Sequence, residues 1–337
     1  MSGYSLRTPG KGRSYNLFWK TFFFIGLFAT IAGLYWTTQQ VDYVWRWERI
    51  PNYFYYEADL DITTGIEGQI SSIKKTGQNS LVLVRGEDNE SFQYEVPSDS
   101  LMVYQGDSVF VGDTIGTKKE WKMGLLLKGL LITLKVSAIS IVFGIALGLM
   151  TGLARISANP ALRMTAITYI ELIRGSPLLV QIFIWYFVLG TLINSLLSKY
   201  DIPQVPPLWF GVASLAIFAG AYVAEIVRAG IQSVNRGQME AARSLGMSKF
   251  YAMKHIILPQ AFRRILPPLA GQFISMIKDS SLLGVIAIRD LTKATREAVA
   301  TSLQPFELWF LCAVLYLILT FAFSMFVQYL EKRMVQR

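Results

Sequence analysis

The chain has 337 residues, of which 53% are hydrophobic and 16% charged, too little charge to cover a soluble domain of that size and the balance of a membrane protein. Its formal net charge of +9 does not mark a nucleic-acid surface: residues 37–122 carry 8 Lys/Arg against 14 Asp/Glu, and the basic excess sits in short segments beside apolar runs, the positive-inside pattern. The one cysteine, Cys312, lies inside an apolar run and excludes an internal disulfide framework or a cysteine-based metal site.

Residues 1–16 form a basic tail with Arg7, Lys11 and Arg13. The first of six stretches that approach or exceed the about 20 apolar residues of a bilayer span is 17–36, followed by Lys-free TTQQVDYVW with no small-residue cleavage site, so a retained anchor is expected rather than a signal peptide. Segment 37–122 reads as strands and turns. LVLV (Leu81 to Val84), FQYEV (Phe92 to Val96) and SVFVGDTI (Ser108 to Ile115) alternate or are β-branched, and GEDNE, PSDS and QGD separate them. The six-residue repeat of Gly106-Asp107-Ser108-Val109 in Gly112-Asp113-Thr114-Ile115 resembles the turns of a small lipoyl-like or SH3-like barrel. No carrier role follows, because Lys118 and Lys119 lead on into a span instead of sitting on a hairpin tip.

Five further spans are expected at about 123–153, 167–189, 207–226, 266–288 and 307–329, followed by a basic tail, 331–337, with Lys332, Arg333 and Arg337. Six spans put both termini on one side, and their basic residues make that side the cytoplasm. Alternation then places the ARISANPALR turn and the basic loop 228–264 inside and the acidic segment 37–122 outside.

Inside the second span, Gly144, Gly148 and Gly152 fall four apart on one helix face, and Ala216, Gly220 and Ala224 do the same in the fourth. Such stripes let a helix approach closely at a bundle or subunit interface, although Gly and Ala are also simply common in membrane helices. Glu171 and Arg174, and likewise Glu225 and Arg228, are three apart and are expected to pair for structure. Gly175-Ser176-Pro177 follows the first of these pairs, so a broken or late-starting helix is expected there. Lys278, Asp279, Ser280 and Ser281 lie near the middle of the fifth span, where an unpaired ionisable group costs roughly 3 kcal/mol or more. They should line a wet substrate pathway or a packed bundle interior.

Between the fourth and fifth spans, QMEAARSLGMSKFYAMKHIILP (Gln238 to Pro259) spaces Glu240-Ala241-Ala242, Gly246 and Leu258-Pro259. It predicts a short helix, a glycine for a left-handed turn or a close approach, a second basic helix and a proline opening the next span. That spacing is similar to the EAA loop of importer permeases of the ATP-binding cassette (ABC) superfamily. YIELIRGSPLLVQIFIWYF (Tyr169 to Phe187), AYVAEIVRAGI (Ala221 to Ile231) and ISMIKDSSLLGVIAI (Ile274 to Ile288) resemble its polar amino-acid branch, the histidine and glutamine permeases. The resemblance covers about 123–330 and departs at Ala229, where a glycine is expected.

The resemblance implies an all-α polytopic membrane protein with the type I ABC importer transmembrane fold; the small extracytoplasmic β-domain inserted after the first helix lies outside the resemblance and is expected from the strand and turn pattern of 37–122 alone. It also implies a polar amino-acid importer in the bacterial inner membrane, built with a second permease subunit, identical or paralogous, a cytoplasmic ATPase dimer and an extracytoplasmic solute-binding protein. Glu240, Ala241, Ala242, Gly246, Leu258 and Pro259 would form the ATPase-coupling site. ATP and Mg would be used by the partner ATPase and no cofactor by this chain, which has no G-x-x-x-x-G-K-[ST] loop; Gly112 to Lys119 does not fit that pattern. His255, the only histidine, reads as a packing or surface residue without a second ligand beside it. A membrane sensor or scaffold with a ligand-binding β-domain is the competing reading, and it predicts a signalling domain beyond the last span. A membrane enzyme would need paired catalytic carboxylates, a nucleophile-base constellation or a metal cluster, and no such pattern is found.

Overall fold

A computed structural model describes residues 13–86 and 90–335, leaving Arg7, Lys11, Arg337 and part of the GEDNE turn outside the described residues. The chain divides into two units, Met1–Trp47 and Glu48–Arg337. The first is built on α1 (Arg13–Gln40), whose window of highest hydropathy buries nothing. Its aromatic rings pack on one another along the helix, Phe18 edge-on to Trp19 at 5.6 Å, and such rings suit a lipid-facing surface.

In the second unit, β1 (Tyr55–Thr63) and β6 (Thr114–Met123) pair antiparallel as a two-stranded ribbon, from Tyr55↔Met123 to Thr63↔Thr114. Strands β2 (Gly68–Thr76), β3 (Asn79–Gly86), β4 (Ser91–Pro97) and β5 (Ser108–Val109) form a sheet in the order β4-β3-β2-β5. Val82, Val84 and Val96 alternate inward and close a core with Ile70, Val109 and Ile115. The stretch 108–115 is two strands rather than one, because the Phe110–Asp113 turn, with Gly112 at φ +95°, separates β5 from β6. The Gly106 and Gly112 turns are built alike. In each, the backbone N–H three residues before the aspartate donates to its carboxylate, Tyr104 to Asp107 at 2.7 Å and Phe110 to Asp113 at 2.8 Å. Both sheets remain open, so the barrel resemblance reaches the turns only.

Strand β6 passes into α2 (Leu125–Arg155) through the single residue Gly124, whose N–H donates to Phe54 O at 2.6 Å. A Cβ there would lie 2.3 Å from the Tyr53 backbone, which excludes a side chain. The helical bundle continues with α3 (Pro160–Arg174), α4 (Leu178–Phe183), a π-helical stretch (Ile184–Gly190), α5 (Thr191–Lys199) and α6 (Pro207–Gln232). Then come α7 (Arg236–Ser244), α8 (Lys249–Ala252), α9 (Leu258–Asp279), a 3-10 turn (Ser280–Ile286), α10 (Leu291–Ser302) and α11 (Pro305–Val335). Among the described residues five helices are long and apolar enough to cross a membrane: Leu17–Gln40, Leu125–Arg155, Leu178–Lys199, Pro207–Gln232 and Pro305–Tyr329. A sixth span arises only from Lys249–Ile286 together with Leu291–Ser302, bent by 51°.

Two expected spans therefore change. The third starts at Leu178 instead of 167, since α3 ends at Gly175 and Pro177, extended at φ −63° and ψ 137°, cannot donate to a continuing helix. The fifth starts earlier, runs through Pro267 and Pro268, and stops at Asp279. Ala287 at φ +65° then turns the chain, and Asp290 accepts from the Thr292 and Lys293 N–H groups to start α10, a helix that apolar run length did not reveal.

The glycine stripe of α2 meets the small-residue stripe of α6 within one chain. A Cβ on Gly144 would lie 2.8 Å from that of Ala219, and one on Gly148 2.5 Å from that of Val223. One on Gly152 would lie 2.8 Å from Ala224 O. The bundle core, including Val136, Ile182, Leu215, Met276 and Leu283, builds on this contact.

Candidate functional site

The loop after α6 is a rigid hook. Asn235 accepts from Gly237 N–H at 2.8 Å and starts α7. Gly246, at φ +82°, ends it, with Gly246 N–H donating to Arg243 O at 3.0 Å and Met247 N–H to Ala242 O at 3.1 Å, the paired bonds of a left-handed helix stop. No atom lies within 4 Å of a Cβ placed on Gly246, so the left-handed backbone, and not a close approach, is what this position requires. Ser248 then accepts from Tyr251 N–H at 3.2 Å and starts α8. His255 Nδ1 lies 3.1 Å from Tyr251 O, its ring stacked on Tyr251 at 5.4 Å, so it braces the hook.

Of the sequence-nominated residues here, Ala242 is buried while Glu240, Ala241, Gly246 and Pro259 are exposed and Leu258 is partly buried. The tip presents apolar side chains to solvent: Leu245 is 83% exposed and Phe250 71%. Its base is fixed, because Met239, Met253 and Ile256 pack on Val227 and Ile231 from α6, on Ala261 and Ile265 from α9, and on Ile257 just before α9. The departure at Ala229 is harmless, since Ala229 is exposed, whereas Gly230 is the close contact and a Cβ there would lie 2.2 Å from Ile265 Cγ1.

Beside the hook, Glu225 holds Arg228 by 2.9 and 3.0 Å bonds, and also holds Arg155 at the end of α2. Glu171 and Arg174 do not form the expected pair. Glu171 lies 4.0 Å from Arg155, and the Arg174 guanidinium carbon sits 5.2 Å from the centre of the Tyr222 ring, a cation-π contact. Three residues apart on a helix permits a pair, but neighbouring elements offered each side chain another partner. Arg155 and Tyr222 escaped sequence reasoning; a basic residue closing a 31-residue apolar helix was the available signal for the first.

At the end of α9 the four polar residues separate. Lys278 is exposed and, with Ser281, Thr292, Trp309 and Tyr316, lines a hollow of about 320 Å³. Asp279 is half-buried and does not line that hollow; Ser280 is fully buried, its hydroxyl donating to Ile277 O at 2.8 Å, so it belongs to packing. Beneath lies a buried cluster that the sequence did not announce: Asp290 accepts from the Tyr316 hydroxyl at 3.3 Å, and Thr133 accepts from Leu291 N–H at 3.0 Å.

Residues 144–336 match the family described as binding-protein-dependent transport system inner membrane component. Among curated proteins, the chain is 38% identical over 210 residues to the glutamine transport system permease protein GlnP of Escherichia coli (strain K12), covering 62% of this chain and 93% of the relative. It is 39% identical over 210 residues, with the same coverage, to the probable glutamine ABC transporter permease protein GlnM of Bacillus subtilis (strain 168). Among solved structures it is similar to a chain in the crystal structure of an amino acid ABC transporter with histidines, at 39% identity and a TM-score of 0.55, covering 62% of this chain and 94% of that one. The bundle, the hook and these matches agree, and the chain belongs to the family of inner membrane components of binding-protein-dependent transport systems.

Proposed function

We propose that the chain is the transmembrane permease subunit of an ABC importer that brings a polar amino acid of the glutamine type into the cell, driven through the hook by a separate cytoplasmic ATPase dimer. The observation that carries this reading is a hook that is apolar and exposed at its tip yet welded at its base to α6 and α9. A partner gripping Leu245 and Phe250 can move two spans as one body, because the left-handed stop at Gly246 and the cluster below leave no slack. ATP and Mg²⁺ are used by that partner. A second permease subunit, identical or paralogous, completes the pathway, and a solute-binding protein delivers the amino acid on the side of the β-unit. Both termini and the hook then lie in the cytoplasm of a bacterium. The hollow bearing Lys278 and Ser281 supplies an ammonium and a hydroxyl to the moving solute.

The test separates backbone from contact. A Cβ at Gly246 meets no neighbour, so Gly246→Val is expected to act through the left-handed conformation, at a cost of about 1–2 kcal/mol. Uptake of labelled glutamine in cells should fall about tenfold or more with the chain still in the membrane by immunoblot. Gly246→Asn, which tolerates that backbone, should keep most of it. Full uptake by the valine variant would sink the coupling role.

A further inference from the structure

The leg formed by α4, the π-helical stretch and α5 carries a hollow of about 690 Å³, within the range of small-molecule sites, on the bundle end opposite the hook. Three observations show how it is built. Along α5, Thr191, Ser195 and Ser198 recur four and three residues apart with Lys199 beside them, all lining the hollow, while Leu192 and Leu196, both exposed, flank that row and do not line it. Lipid accepts the leucines but not a hydroxyl row ending in an ammonium, which must meet water, solute or protein. The remaining polar residue of α5, Asn194, is already committed, because its amide accepts from Val205 N–H at 2.8 Å and donates to Val205 O at 3.2 Å, clamping the following loop. The floor, Tyr186 and Phe187, comes from the π-helical stretch, a local widening that concentrates at functional sites, and is held by Tyr186 edge-on to Phe210 at 6.4 Å.

The geometry points to a landing site for a free α-amino acid here, distinct from the Lys278 hollow, with the carboxylate on Lys199 and the serine and threonine hydroxyls on its ammonium and polar side chain. This rests on the transport reading and adds to it the place where solute first touches the permease. The test uses the full chain in the membrane of the producing cells, with single cysteines at Ser195, Ser198 and, as the lipid-facing control, Leu196. Native Cys312 is buried and serves as the background. A membrane-impermeant methanethiosulfonate should modify Ser195→Cys and Ser198→Cys but not Leu196→Cys. A mixture of the twenty standard amino acids at about 10 mM each should slow that modification about threefold or more, and Lys199→Met should raise the concentration needed for protection about tenfold. Failure of the reagent to reach 195 and 198, or equal rates with and without amino acids, overturns the site. Uptake of the same labelled mixture by cells that hold the unmodified chain together with its ATPase, second permease subunit and solute-binding protein decides the other question. Uptake without protection leaves transport standing and removes the site, whereas protection without uptake keeps the site and removes the transport reading.

Discussion

Gly148 and Gly271 show why a residue type says little until its surroundings are known. Gly148 faces α6 with Val223 2.5 Å from where a Cβ would stand, while nothing lies within 4 Å of one on Gly271 in α9. Gly148→Ala should therefore overpack the α2–α6 contact and cost about 1–3 kcal/mol. Gly271→Ala should gain up to about 1 kcal/mol from helix propensity. Thermal unfolding of the purified protein in detergent checks both signs, and a destabilised Gly271 variant would contradict the open space around it. The stripe on each helix was legible in the sequence, but which helix each one faced was not, because spacing along a chain carries no information about the partner. The same limit separated Lys278 from Ser280, neighbours in sequence that a helical turn sends in different directions.

At the scale of elements, the hook was readable almost residue by residue, since a helix cap, a left-handed glycine and a proline are local signals. The α3–α4 break was foreshadowed by Gly175 and Pro177, though apolar run length put the span's start some eleven residues early. Helix α10 was missed because its residues are neither apolar enough for a span nor marked by anything but the Asp290 cap. The clasp at the hook-side end of α2 and α6 depends on one carboxylate serving two guanidinium groups, Glu225 between Arg155 and Arg228. Glu225→Gln leaves those cations facing a neutral amide, and the part-buried site should lose about 2–4 kcal/mol. Comparing the thermal midpoint of this variant with that of Glu171→Gln, whose carboxylate is largely exposed, tests the ranking; an equal loss in both would show that Glu225 is not the hub.

For the whole molecule, the family match begins at residue 144, so the β-unit's part in transport has to be argued from its attachment. Tyr55 and Met123 stand opposite each other at the base of the ribbon, and the unit has its own core. Replacing 55–123 by a short linker should leave the helices folded and inserted, while delivery of amino acid by the solute-binding protein weakens. Unchanged uptake kinetics would dismiss a delivery role. The join at Gly124 carries one more consequence. Nine paired residues of β1 reach about 26 Å beyond the helix, with a single locked residue between ribbon and α2. A 10° tilt of α2 during the pumping cycle would sweep the ribbon's far end sideways by about 4–5 Å, turning a small rotation in the bilayer into a stroke that any protein resting on the β-unit would feel.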